Sequence, residues 1–313
     1  MNARQAVELY LKTRRSFGFA LVQVGVELGS LVRYAQQISH RGPLTASLAF
    51  AWAQQSRKAT AAYQAHRLGL FRRLALFAKA YDRRTQIPSK TDLVSGYRRR
   101  AVHIFSAREL NVLLKASTHV GRLHAFRGST FRTLIGLLFC TGLRIGEALK
   151  LADADIDWGA GTLTIRHGKN SRQRRIPVHP STLEALKRYR ALRNKTLGCG
   201  VSANFFLSFR GEPLGYHGVN IIFRKLCREL DWKTPPVPRL HDFRHTFAVR
   251  TLLDWYRSSQ PVGSNLWTLS NYLGHRHLSD TYWYLSAVPA LMQFCQERFA
   301  HAQSWASKGG VHD

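Results

Sequence analysis

Two arginines, three histidines and a tyrosine stand in a fixed order along this chain. Thr141-Gly-Leu-Arg144-Ile-Gly-Glu147 comes first, then His241-Asp-Phe-Arg244-His245, then Leu273-Gly-His275 and finally Thr281-Tyr282-Trp-Tyr284. Arginine presents a planar fork of donors that matches phosphate oxygens and stays charged at every relevant pH. Histidine titrates near neutrality and moves protons, and tyrosine supplies a hydroxyl nucleophile. Together they suit attack of a protein hydroxyl on a phosphodiester. Arg144 is placed to open a helix, whose free amides already favour anions, and Glu147 is spaced to brace its guanidinium. His241 and Arg244, three apart on a predicted helix, share a face, and His245 lies on the same side. The spacing His241-x-x-x-His245 also suits zinc, but the adjacent glutamate of the metalloprotease motif and a third ligand are missing. Tyr282 and Tyr284 point about 200° apart on a helix, so only one of them can meet a phosphate.

Over roughly residues 104 to 290 these motifs resemble the tyrosine recombinase (phage integrase) family of DNA strand-exchange enzymes. The Thr281-Tyr-Trp-Tyr284-Leu-Ser segment is similar to transposon-encoded members. The resemblance implies that Arg144 and Arg244 are the two catalytic arginines and that His241 handles a proton. His275 takes the family's last histidine position. Spacing from the Gly-His pair implies Tyr284 as the nucleophile, with Tyr282 as the alternative. Lys169, in the turn His167-Gly-Lys169, corresponds to a lysine that protonates the leaving 5′ oxygen; Lys150 is the rival. His245 is left to pack or to make a supporting hydrogen bond. The implied reaction passes through a 3′-phosphotyrosine and needs neither metal nor other cofactor. Its implied partner is double-stranded DNA, clamped between an N-terminal helical core-binding domain and the catalytic domain of a homotetramer or mixed recombinase complex.

Composition agrees with a polyanionic partner. The 313 residues carry 47 Lys+Arg against 18 Asp+Glu, a formal net charge of +29, yet 45% are hydrophobic, enough for proper cores. Each phosphate neutralised by such a protein releases condensed counterions. An anionic membrane surface is the rival partner. No apolar run approaches the roughly 18–20 residues that span a bilayer, since Phe17 to Val32 is broken by Gln23 and Glu27. No signal peptide is evident either, so the expected location is the cytoplasm. Cysteines at 140, 199, 227 and 295 form no close pair, which suits neither zinc nor a disulfide framework. Cys140 closes the apolar run Leu134–Cys140 and reads as a buried structural thiol.

The elements that must position these residues are mostly helical, in two domains. Residues 1 to 86 read as a helical bundle, with Thr45 capping a helix over 46–54 and a longer helix from Thr60 to Tyr81. In the latter, Leu70, Leu74 and Phe77 face a core, while Arg67, Arg72, Arg73 and Lys79 are expected to face DNA. Residues 87–103, with Pro88 and the triplet Arg98-Arg99-Arg100, read as a basic linker that also touches DNA. The catalytic domain, 104–313, is α-rich and mixed α/β. Ser106-Ala-Arg-Glu109 fits a capping box, with Leu110, Leu113 and Leu114 as the apolar face of its helix. Asp155–Trp158, Gly161–Arg166 and Arg174–Val178 predict a small antiparallel three-stranded sheet. Its second turn presents Lys169, with Arg172 and Arg174 as further expected DNA contacts. Helices are expected over 240–253 and 266–273, the second closed by Gly274.

Two other readings share parts of this pattern. A type IB topoisomerase would use the same chemistry to relax DNA without joining two sites. A non-catalytic DNA-binding protein of the same fold would not need every site position filled, as they are here.

Overall fold

The computed structural model of the protein describes residues 1–55, 60–89, 101–120, 125–166, 173–258 and 260–287. The chain forms two compact units, Met1–Arg99 and Arg100–Asp313.

In the first unit, helices α1 (Ala3–Ser16), α2 (Val22–Gln37), α3 (Ala46–Gln54) and α4 (Ala61–Ala78) pack around Leu28, Leu31, Leu48, Trp52, Phe71 and Leu74. Side chains fix where they start. Asn2 and Gln5 form a capping box on α1, Thr45 accepts from the Leu48 amide, and Thr60 accepts from the Tyr63 amide. Helix α4 stops at Ala78, short of the expected Tyr81, because the chain turns into Asp82. Asp82 bonds both the N-terminal ammonium and Arg84, whose hydrogen bond leads the causes that hold its carboxyl well below the usual range. Arg67 is a correction to the expected DNA-facing set. It is buried, donates to Ser30 Oγ at 3.1 Å and lies 4.1 Å from the centre of the Trp52 ring. An arginine's long stem packs well and its fork stacks on indole, so helical spacing alone cannot tell this role from a surface one. Arg72 is half-buried and donates to the Pro88 carbonyl, while Arg73 and Lys79 are exposed. Ile87 packs against the core of this unit. Arg98, Arg99 and Arg100 lie outside the described residues.

The second unit is built on α6 (Ala125–Thr141), which packs against α5 (Ala107–Ser117), α8 (Pro180–Leu197) and α10 (Asp242–Arg257). The capping box of Ser106 with Glu109 opens α5 as expected. Helix α6 buries Leu134, Ile135, Leu137 and Leu138, but Cys140 is exposed, contrary to its expected burial. At about 100° per residue a continuous apolar run wraps the whole helix, so part of it must face outward. After α7 (Ile145–Leu149) come β1 (Ile156–Asp157), β2 (Thr162–Ile165) and β3 (Arg174–Pro177), antiparallel in the order β1-β2-β3. Leu163 pairs with Ile176 in the core. Lys169 and Arg172, between β2 and β3 in the sequence, lie outside the described residues. Helix α9 (Tyr216–Glu229) packs against α5 and α7. A second apolar cluster joins α10 to α11 (Val262–Leu273) and α12 (Ser279–Ala287) through Leu252, Leu266, Leu269, Leu273 and Tyr284. No helix among the described residues is long and apolar enough to cross a membrane.

Candidate active site

The C-terminus of α11 organises the site. Gly274 ends the helix in the left-handed conformation, φ 66°, where a side chain would be strained and a Cβ would meet Arg174 at 2.9 Å. The last carbonyls of a helix have no partner within it. Here three successive ones accept from three arginines. Tyr272 O takes Arg174 Nε at 2.8 Å, Leu273 O takes Arg244 Nη2 at 2.6 Å, and Gly274 O takes Arg144 Nη2 at 3.0 Å. Cations at this end also oppose the negative pole of the helix.

Arg144 is the N-cap of α7, as its motif predicts. Its backbone amide and its Nη1 both donate to Glu147, at 3.0 and 2.9 Å. Arg174 holds the same carboxylate from β3 with Nη1 and Nη2, so it is a brace for Glu147 rather than the DNA contact expected of it. Glu147 is 4% exposed. Burial alone would raise its pKa, but Arg174 and Arg144 outweigh that and hold it below the usual carboxylate range.

Arg244 enters from the first turn of α10 and is 1% exposed. Besides Leu273 O it donates to Gly142 O at 3.0 Å. Gly142, at φ 60°, comes so close to Phe247 that a Cβ would overlap its ring at 2.6 Å. Burial, then the charge of Arg144, lowers the Arg244 pKa to about 10, which leaves it cationic at neutral pH.

The two tyrosines separate clearly. Tyr284 is 2% exposed, whereas Tyr282 is 50% exposed. Burial raises the Tyr284 pKa against the opposing charges of Arg244 and Arg144. Its hydroxyl lies 3.2 Å from His245 Nδ1. His275 stacks on the Tyr284 ring at 6.2 Å, and its Nδ1 is 2.8 Å from Thr281 Oγ1. His241, the N-cap of α10, is exposed to solvent, with its ring 4.7 Å from that of His245. The surrounding protein and the charges of Arg244, Arg144 and Arg239 lower the His241 pKa. Burial, then Arg244, lowers that of His275 to about 4. Burial likewise lowers that of His245, so His245 and His275 are neutral at pH 7.

The fold therefore brings Arg144, Arg244, His241, His245, His275 and Tyr284 into one cluster, with Glu147 behind it. Lys150 is exposed at the C-cap of α7. Two members were not singled out from the sequence, the buried Thr281 and the backbone carbonyls of α11. A threonine inside the His275–Tyr284 segment was the one available signal for the first; carbonyls leave none. No group of three or more histidine, cysteine or acidic side chains able to hold a metal occurs among the described residues.

Comparison with known proteins places these observations in context. Residues 105–290 match the Phage integrase family. Over 306 residues the sequence is 36% identical to "Putative integrase/recombinase y4rB" of Sinorhizobium fredii, covering 94% of this chain and 96% of that protein. Tyrosine recombinase XerC of Bacillus pumilus is 32% identical over 178 residues, covering 56% of this chain and 52% of its own. Among solved structures, the Tn1549 transposon integrase in complex with transposon right end DNA aligns at TM-score 0.67 and 19% identity, over 94% of this chain and 99% of that one. At that identity the likeness is one of fold.

Proposed function

This chain belongs to the phage integrase family and is a site-specific tyrosine recombinase, and we propose that Arg144 and Arg244 hold its scissile phosphate while Tyr284 attacks in line. The observation that carries this division of roles is the pinning of both guanidiniums on consecutive carbonyls, Leu273 O and Gly274 O, around the buried Tyr284. Each arginine keeps further N–H donors for phosphate oxygens after those bonds are made. Donors fixed before the reaction stabilise charge growing on the non-bridging oxygens without reorganising, usually the largest contribution in such sites.

In the step proposed, the Tyr284 oxygen bonds to phosphorus as the bond to the 5′ oxygen breaks. A 3′-phosphotyrosine remains, and its bond keeps the energy of the phosphodiester. The 5′ hydroxyl of another strand then reverses the reaction without ATP. His241, at the exposed rim, and His275, stacked on the nucleophile, flank the phosphate. Lys169, which follows β2 in the sequence, protonates the leaving oxygen. The DNA partner is double-stranded, the first unit supplies further contacts through residues such as Arg73 and Lys79, and the working assembly is a tetramer on two sites. A transposon-encoded origin fits the alignment with the Tn1549 integrase.

A nicked suicide duplex tests the reading. Wild-type protein should remain attached to a DNA 3′ end, Tyr284→Phe should lose the adduct while still binding the duplex, and Tyr282→Phe should keep it. An adduct that survives in Tyr284→Phe and disappears in Tyr282→Phe would move the nucleophile.

A further inference from the structure

We propose that His245 is a catalytic residue of the cleavage step, taking the proton of the Tyr284 hydroxyl as that oxygen attacks phosphorus. The inference rests on Tyr284 being the nucleophile. Of the three histidines in the cluster, His245 is the one whose ring nitrogen meets the phenol oxygen, at 3.2 Å. His241 sits beyond it at the solvent-exposed rim, and the Nδ1 of His275 is engaged by Thr281. Geometry within hydrogen-bond reach of the transferred proton is the first requirement of a general base. The His245 ring is also fixed in place, edge-on to Trp283 at 5.3 Å and to Tyr284 at 5.5 Å.

The step balances without another reagent. The Tyr284 O–H bond breaks, its electron pair forms the bond to phosphorus, and the proton moves to Nδ1, giving an imidazolium. The bond between phosphorus and the 5′ oxygen breaks, and that oxygen takes a proton from a separate donor. When an incoming 5′ hydroxyl displaces the tyrosine, that hydroxyl gives its proton back to the separate donor, His245 returns its own to the phenol oxygen, and the site is reset.

The groups facing His245 are His241 and Arg239 at the start of α10, Arg244 on α10, His275 after α11 and Tyr284 on α12. Burial, then the charges among these, lowers its pKa to about 3, so the ring is neutral in the protein without DNA, and the proposed step uses the tautomer protonated on Nε2. A phosphodiester monoanion entering beside it raises the pKa, and the base strengthens when its substrate is bound.

The test is single-turnover adduct formation by the full-length protein on a nicked duplex from about pH 5 to 9, with wild type, His245→Asn and His245→Ala. Asparagine places an acceptor near the Nδ1 position but cannot take a proton. His245→Asn should be slower by at least about a hundredfold, with duplex affinity and thermal unfolding kept. Sulfur at the bridging 5′ position should not rescue it, because the defect lies on the attacking oxygen. Full activity in His245→Asn, recovery by Asn of what Ala loses, or rescue by sulfur would each overturn the proposal. Failure of wild type to form any adduct would remove the reading of Tyr284 itself, whereas an unimpaired His245→Asn removes only the role of His245.

Discussion

Glu147 holds Arg174 through both carboxylate oxygens, at 3.0 and 2.9 Å, and so ties strand β3 to the turn that carries Arg144. One buried carboxylate thereby serves two guanidiniums, since Arg144 Nη1 shares its Oε1. The arrangement makes the position of Arg144 depend on a residue in another element, 27 positions further along the chain from Glu147.

Glu147→Gln should therefore destabilise the protein by about 3–5 kcal/mol, the range for removing one partner of a buried ion pair. Urea unfolding at pH 7 measures it, and an unchanged midpoint would contradict the bracing role. The pH dependence has a definite sign. A carboxyl whose folded pKa is depressed stabilises above its unfolded value, about 4.3, and that contribution is lost as pH falls toward the folded value. The gap between wild type and variant should accordingly shrink below about pH 4.

Arg144→Lys and Arg244→Lys keep the charge but lose the fork that reaches a carbonyl and a phosphate together. Each should slow single-turnover cleavage by at least about tenfold, roughly 1.4 kcal/mol of transition-state stabilisation. Duplex affinity should barely change, because a net charge of +29 supplies it from many other residues. Near-wild-type rates in both variants would mean that the phosphate is held elsewhere.

Lys169→Ala should be slow on ordinary DNA and largely rescued when sulfur replaces the bridging 5′ oxygen, since a thiolate leaves without a proton. Arg144→Ala should gain much less from the same substitution. A Lys169→Ala defect of equal size on both substrates would leave the lysine as a DNA contact and turn attention to Lys150 and His241.

The histidines predict a stability profile. The pKa values of His241, His245 and His275 are all lowered in the fold. Between about pH 6.5 and 4 the unfolded chain binds protons that the folded one refuses, so stability should fall steadily on acidification. Ring-proton NMR of the free protein should show all three titrating below pH 6.5. A midpoint at or above the ordinary value for His245 would contradict its environment beside Arg239 and Arg244.

Much of this architecture was readable from local signals. Ser106 with Glu109, Thr45 and Gly274 mark helix ends through bonds made within a few residues, and the sheet's alternation and turns are equally short-range. The order of Arg144, Arg244 and Tyr284 was legible because each sits in a short motif of its own. Glu147 braces Arg144 as their spacing within one motif implies, whereas neighbours from distant segments were not legible. Arg67 on Trp52, Arg174 on Glu147 and Cys140 facing outward depend on contacts between segments distant in sequence. The link from His245 to Tyr284, across 39 positions, belongs to the same class.

The three carbonyls at the end of α11 give the site a shared point of failure. Arg174, Arg244 and Arg144 arrive from a strand, a helix and a turn, and none of them is held in register by its own element alone. Fraying of that one helical turn would strip an anchor from all three at once, leaving Arg144 and Arg174 on Glu147 and Arg244 on Gly142 O. Substitutions at 270–274 that alter no charge and touch no reacting atom should then loosen both phosphate-holding arginines together and behave in a genetic screen like partial losses of each.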